Sequence, residues 1–193
     1  MKTVIIKYNA GNIQSVAFAL ERLGIKPVIT DDPEIIVKAD KVIFPGVGEA
    51  SSTMNYLRQS KLDMLIPNLK QPVLGICLGM QLMCSYSTEG NTSCLGIFNE
   101  KVEKFPPGNK VPHVGWNNIS NLKSPLFKDL PENSYVYFVH SYFVNKSSYS
   151  IAECNYIKPF SAALQKDNFF ATQFHPERSG KTGEIILKNF IAL

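Results

Sequence analysis

The chain has 193 residues, of which 45% are hydrophobic and 19% charged, and a net charge of +4; this is ordinary globular composition with enough apolar side chain for a sizeable core. Its lysines and arginines are scattered instead of forming the dense stripe that a phosphate backbone demands, so nucleic acid is not an expected partner. No apolar run approaches the roughly 18 residues of a membrane helix, and MKTVIIKYNAG has neither the apolar length nor the cleavage pattern of a signal peptide, so the expectation is a cytoplasmic protein with no membrane partner.

The predicted elements begin with TVIIKY (Thr3 to Tyr8), a buried strand, and a helix from Ile13 to Leu23 whose Val16, Leu20 and Leu23 recur at helical spacing before Gly24 closes it. KVIF (Lys41 to Phe44) reads as a second strand, ended by PGVG. PVLGI (Pro72 to Ile76) reads as a third, followed by a helix from Leu78. Short buried strands alternating with helices imply a mainly parallel central sheet covered on both faces, an α/β fold of the flavodoxin-like kind. The later half changes character. YVYFVHSYFV (Tyr135 to Val144), IAECNY, SAALQ and FFATQF predict strands with tight connections, a mixed or antiparallel region, and a helix over 183–191 closes the chain. Without an internal repeat, low-complexity stretch or linker, residues 1–193 read as one domain.

In PVLGICLGMQLM the third strand stops at a cysteine between two glycines. A strand that turns sharply into a helix presents its turn residue beyond the carboxyl end of a parallel sheet, where reactive groups gather. Gly75 and Gly79 are expected to permit a strained turn and close helix packing, and the first N–H groups of the helix favour an anionic sulfur. The N–H of Leu78 is then placed to stabilise an oxyanion on a substrate. GxCxG alone leaves both a nucleophile and a packed core thiol open. The other cysteines, Cys84, Cys94 and Cys154, read as small buried hydrophobes. The four cysteines lack CxxC spacing and there are three histidines, so reduced thiols, no metal and no cofactor are expected.

FHPERSG supplies a base with an orienting acid. His175 and Glu177 follow a predicted strand, and positions i and i+2 of extended backbone face one side, with Pro176 holding the spacing. A carboxylate can then bond one ring nitrogen while the other faces the sulfur, which is the logic of a Cys77, His175, Glu177 triad. His113 and His140 are the competing bases. Neither has an acid within four residues in sequence, so both read as structural.

With these residues in view, GICLGMQ, FHPE and the PGVG loop about thirty residues before the cysteine resemble the class I glutamine amidotransferases. YNAGN, HVGWN (His113 to Asn117) and YFVHSYF (Tyr137 to Phe143) narrow the resemblance to glutaminase subunits of histidine-biosynthetic synthases, over essentially the whole chain. The resemblance implies that Cys77 is the nucleophile, His175 the base and Glu177 its orienting acid. It implies oxyanion donors at Val47 and Gly48 beside Leu78, and a glutamine site formed by Gly46, Gln81, Glu89, Ser141 and Tyr142, with Glu89 receiving the α-ammonium. Asn12, Trp116 and Arg178 are implied to face a partner, a (β/α)8-barrel cyclase subunit that uses ammonia to make imidazole glycerol phosphate in a heterodimer. Lys7 and Asn9 depart from the acid and glycine usual in the family. Those departures leave open a paralogous synthase that aminates another precursor, and a catalytically silent binding subunit is a further alternative that the complete triad disfavours. A cysteine hydrolase of the dienelactone type would share the GxCxG turn, but there the acid precedes the histidine.

Overall fold

The structure is a computed structural model and describes residues 1–8 and 12–193. Asn9, one of the two departures, therefore lies outside the described residues. The chain opens with β1 (Thr3–Ile6), α1 (Ile13–Arg22), β2 (Val28–Thr30), α2 (Pro33–Val37) and β3 (Lys41–Gly46). It continues through α3 (Ala50–Gln59), α4 (Leu62–Leu65), β4 (Val73–Cys77) and α5 (Leu78–Met83). Three short strands follow, β5 (Tyr86–Ser87), β6 (Thr92–Ser93) and β7 (Lys101–Lys104), then β8 (His113–Ile119), β9 (Ser134–His140) and β10 (Tyr142–Val144). The chain closes with β11 (Ser150–Asn155), β12 (Pro159–Lys166), β13 (Phe169–Thr172) and α6 (Gly180–Ala192).

Seven strands form the main sheet in the order β11-β12-β13-β4-β3-β1-β2. Its pairings from β2 to β13 are parallel, while β12 and β11 add antiparallel strands at one side. This is the predicted α/β arrangement, with the antiparallel part where the sequence pattern changes. Strand alternation explains the two cores. On β1, Ile5 faces one side with Val16 and Leu20 of α1 and Ile186, Leu187 and Phe190 of α6. Val4 and Ile6 face the other, with Met54 and Leu57 of α3 and Met80 and Leu82 of α5. Both faces are thus buried, which is why these strands read as continuous apolar runs. Among the described residues, no helix is long and apolar enough to cross a membrane.

The sheet edges are short or irregular. β2 has three residues, and β11 carries register shifts around Ala152 while its outer side is bridged by Ser120 to Glu153. Several boundaries depart from the sequence pattern, and two of them bear on the site. YVYFVHSYFV is two strands broken at Ser141: β9 pairs with β8 in a separate hairpin, and β10 joins the four-stranded sheet β10-β7-β5-β6. The run is apolar or aromatic at nearly every position, so periodicity alone cannot reveal the change of sheet; burial passes from the alternating Val136, Phe138 and His140 to the consecutive Phe143 and Val144. The Ser141 carbonyl marks the crossing by accepting the Phe105 N–H at 3.0 Å. The FFATQF strand stops at Thr172, because the chain leaves the sheet before His175 and enters a 3-10 turn at Pro176–Arg178.

Gly79 shows how tightly α5 is set onto the sheet: a Cβ there would collide with the backbone carbonyl oxygen of Phe44. Gly24 has a φ of +77° but open space around it. Gly79→Ala should accordingly destabilise the fold by about 3 kcal/mol or more through forced movement of β3 against α5, whereas Gly24→Ala should cost about 1–2 kcal/mol from backbone strain alone. Urea unfolding midpoints of the two variants test this, and equal losses would contradict the packing argument.

Candidate active site

Cys77 ends β4 and precedes α5 with φ 54° and ψ −106°, a region a side-chain-bearing residue enters at a cost of about 1–3 kcal/mol. The strain therefore sits on the cysteine itself. The flanking glycines serve close approach instead, since a Cβ at Gly75 would stand 2.8 Å from the Met83 sulfur and one at Gly79 would meet Phe44. The neighbouring register, Gly46 beside Cys77 and Thr172 beside Ile76, brings the ends of β3 and β13 to the same edge.

Cys77 opens into a cavity of about 330 Å³, at the small end of ligand sites. Val47, Gly48 and Leu78 line it beside the sulfur, and Gln81, Glu89, Ser141 and Tyr142 line the remainder with His140. These include all three expected oxyanion positions. Gly46, expected among the substrate residues, is outside this lining; it is packed at the end of β3 where a Cβ would strike the Tyr8 hydroxyl and crowd Leu78. Tyr8 donates its hydroxyl hydrogen to the Pro45 carbonyl, fixing the base of the PGVG segment. Gly48 has a φ of +132°, so the loop turns at a position that suits glycine.

His175 and Glu177 are both buried, and the His175 Nδ1 donates to Glu177 Oε1 at 2.7 Å. An extended pleat does not bring them together. His175 has φ −101° and ψ 95° and caps the 3-10 turn that begins at Pro176, and it is this turn that folds the carboxylate back onto the ring. Two contacts hold the turn to the β8-β9 hairpin: the His175 N–H donates to the Tyr137 carbonyl at 2.9 Å, and the Ser179 hydroxyl donates to the His175 carbonyl while accepting from the Tyr137 N–H. The His175 Nε2 has no hydrogen-bond partner among the described residues. Burial acts to lower the His175 pKa, but the nearby Cys77 and the hydrogen-bonded Glu177 outweigh it and push it up to about 10.

Asn12, expected at a partner surface, reaches the triad. Its side-chain amide donates to Glu177 Oε1 and lies 3.4 Å from the His175 Nδ1, while its carbonyl oxygen accepts from Arg178 at 3.3 Å. Arg178 and Trp116 are exposed. Trp116 stands on β8 beside Gly180, with Val114 and Tyr135 exposed on the same hairpin. Lys7 is exposed just past the end of β1.

Gln81 and Glu89 are engaged before any ligand arrives. The Gln81 amide donates to the Tyr142 carbonyl at 3.2 Å and to Gln173 Oε1 at 3.1 Å. Glu89 accepts from the Ala50 N–H at 2.8 Å; burial raises its carboxyl above the usual value, with that N–H opposing and the charge of Glu49 reinforcing the rise. Gln173 is absent from the sequence-based site, yet its Nε2 lies 3.7 Å from the Cys77 sulfur. Its position two residues before His175 was the available signal. Cys84 and Cys154 are buried as expected, whereas Cys94 is half-buried.

Comparison with known proteins gives the same grouping. Residues 4–193 match the family model for glutamine amidotransferase class-I. The imidazole glycerol phosphate synthase subunit HisH of Bacteroides fragilis (strain YCH46) is 62% identical over 100% of both chains, and that of Yersinia pestis is 46% identical over 100% of both. In fold, the chain is similar to a glutamine amidotransferase of known crystal structure, with a TM-score of 0.76 at 17% identity over 98% of this chain and 97% of that one. The sheet with Cys77 at its carboxyl edge, and relatives matching it from end to end, place the chain in the class-I glutamine amidotransferase family, among the imidazole glycerol phosphate synthase HisH subunits.

Proposed function

We propose that this chain hydrolyses glutamine through a thioester on Cys77 and delivers the ammonia to a synthase partner that makes imidazole glycerol phosphate in histidine biosynthesis. The observation that carries the reading is a strained cysteine at the mouth of an amino-acid-sized cavity, with a buried His175–Glu177 pair behind it. The Cys77 sulfur attacks the side-chain amide carbon of glutamine, and the resulting oxyanion is held by N–H groups from Val47, Gly48 and Leu78. His175 gives a proton to the departing nitrogen, the C–N bond breaks, and ammonia leaves. Water, deprotonated by the same ring, then attacks the thioester carbon; the C–S bond breaks, glutamate is released and the sulfur is regenerated. Glu177 keeps the ring oriented, and Asn12 keeps Glu177 oriented, so Asn12 acts through the acid besides standing near the surface. A half-buried Glu89 already strained by burial and by Glu49 gains from a cation, which suits the α-ammonium of the substrate.

Ammonia released into water becomes unreactive ammonium, so the product needs a protected route. The partner in this reading is a (β/α)8-barrel cyclase subunit seated on the Val114, Trp116 and Tyr135 surface with Arg178 beside it, in a heterodimer within the cytoplasm. The exposure of three large apolar side chains on one hairpin supports that seat. The whole-chain likeness to HisH subunits favours the histidine pathway over a paralogous amination despite Lys7.

Cys77→Ala should abolish glutamine-dependent synthesis by the complex and leave synthesis from ammonium salts largely intact, with Cys84→Ala as the packing control; glutamine use near the wild-type rate would remove Cys77 from its role. The raised pKa of His175 means that the stability contributed by its imidazolium is fully present below pH 6.5 and is lost as pH rises through about 10. In Cys77→Ala one of the two raising groups is gone, so the NMR titration midpoint of His175 should fall; an unchanged midpoint would show that the sulfur does not act on the ring. The isolated chain should be a poor glutaminase, stimulated about 10²- to 10³-fold by partner and ligand if docking turns one PGVG peptide N–H toward the oxyanion. Glutamate release by the pure chain, with and without the partner, measures this, and full activity alone would eliminate the gate.

A further inference from the structure

The two histidines outside the triad are joined in a chain whose proton direction can be read. His113 and His140 face each other across β8 and β9, with His113 Nδ1 3.0 Å from His140 Nε2. The other nitrogen of His140, Nδ1, lies 2.8 Å from the Tyr142 carbonyl. A carbonyl oxygen only accepts, so Nδ1 carries the His140 proton; in a neutral ring Nε2 is then an acceptor, and His113 Nδ1 must donate to it. That leaves His113 Nε2 as an acceptor, and the donor Asn117 Nδ2 stands 3.4 Å away. The Asn117 amide is itself held in this sense, because Nδ2 donates to the Asn155 carbonyl and Oδ1 accepts from the Asn118 N–H.

Both rings are suited to the neutral state. His113 is stacked between Tyr156 and Phe138, at centroid distances of 3.9 and 4.8 Å, and His140 packs against Phe105 and Phe160. Burial lowers the His113 pKa to about 4 and that of His140 to about 3. The titratable neighbours are Tyr156 beside His113 and His175 near His140; a positive His175 opposes a second charge.

The chain does not end at Tyr142. Its carbonyl accepts from Gln81 as well, Gln81 also donates to Gln173, and Gln173 reaches the Cys77 sulfur. Resting on the glutaminase reading, we propose that His113 and His140 are positioning residues, a one-way hydrogen-bond relay that runs from Asn117, next to the exposed Trp116, to the Tyr142 carbonyl and fixes Gln81 and the cavity wall for glutamine. The relay fills both lone pairs of the Tyr142 carbonyl, so that oxygen orients the wall and does not receive substrate.

The tautomers test the direction without any assay. Nitrogen-resolved NMR of the full chain at neutral pH should find both His113 and His140 protonated at Nδ1; either ring protonated at Nε2 overturns the proposal. In the complex with its synthase partner, His140→Leu should raise the KM for glutamine about five- to ten-fold, the loss of one bond in a buried network, with a smaller change in kcat. His140→Asn, whose amide can still donate to Tyr142, should restore KM to within about two-fold. Equal KM values for the two variants would make the ring a packing element only and overturn the relay. If His140→Leu fails to fold, the tautomer measurement decides. A wild-type complex unable to hydrolyse glutamine would sink the functional reading while leaving the tautomer result to stand or fall by itself.

Discussion

The left-handed backbone at Cys77 is the constraint on which the rest of the site depends. It is held by strand pairing on both sides of β4 and by α5 seated against the Phe44 carbonyl through Gly79. A strain of about 1–3 kcal/mol is small beside what the parallel sheet supplies, but it persists only because the surroundings over-determine it. The same three strands deliver the other parts. β3 runs out into Val47 and Gly48, and β13 runs out into Gln173 and then the His175 turn. Sheet order thus places the candidate oxyanion loop, nucleophile and base side by side, although they lie far apart in sequence.

The three histidines show one physical rule with two outcomes. Burial opposes the charged ring at each of them. Only His175 has neighbours, Cys77 and Glu177, that reverse the effect. His113 and His140 have each other and aromatic rings, so they remain neutral and act as directional hydrogen-bonding groups. The contrast lies in the company each ring keeps.

Legibility in the sequence followed the range of the contact. Cys77 between its glycines and the HPE run are local patterns, and the positions drawn from them meet in space. The extended-strand argument for His175 and Glu177 found the right neighbours through the wrong geometry, because a proline at the first position of a 3-10 turn and a proline in an extended segment look alike in sequence. The contacts of Asn12 with Glu177 and of Gln173 with Cys77 span 165 and 96 positions, and no local period reports them. The break at Ser141 was hidden for a related reason: the run is apolar or aromatic on both sides of it, so composition does not mark where the strand changes partners.

The finish of the main sheet has a consequence for the chain before assembly. An unpaired strand edge is a template for another chain, and open edges are where β-rich proteins aggregate. Here one edge is three residues long, and the other is kinked by register shifts and covered by the Ser120 bridge. Strand-to-strand growth is therefore blocked at both ends. Exposed apolar side chains lie elsewhere, Val114, Trp116 and Tyr135 on the β8-β9 hairpin among them, so self-association of the free chain would run through side-chain contacts and not through added strands.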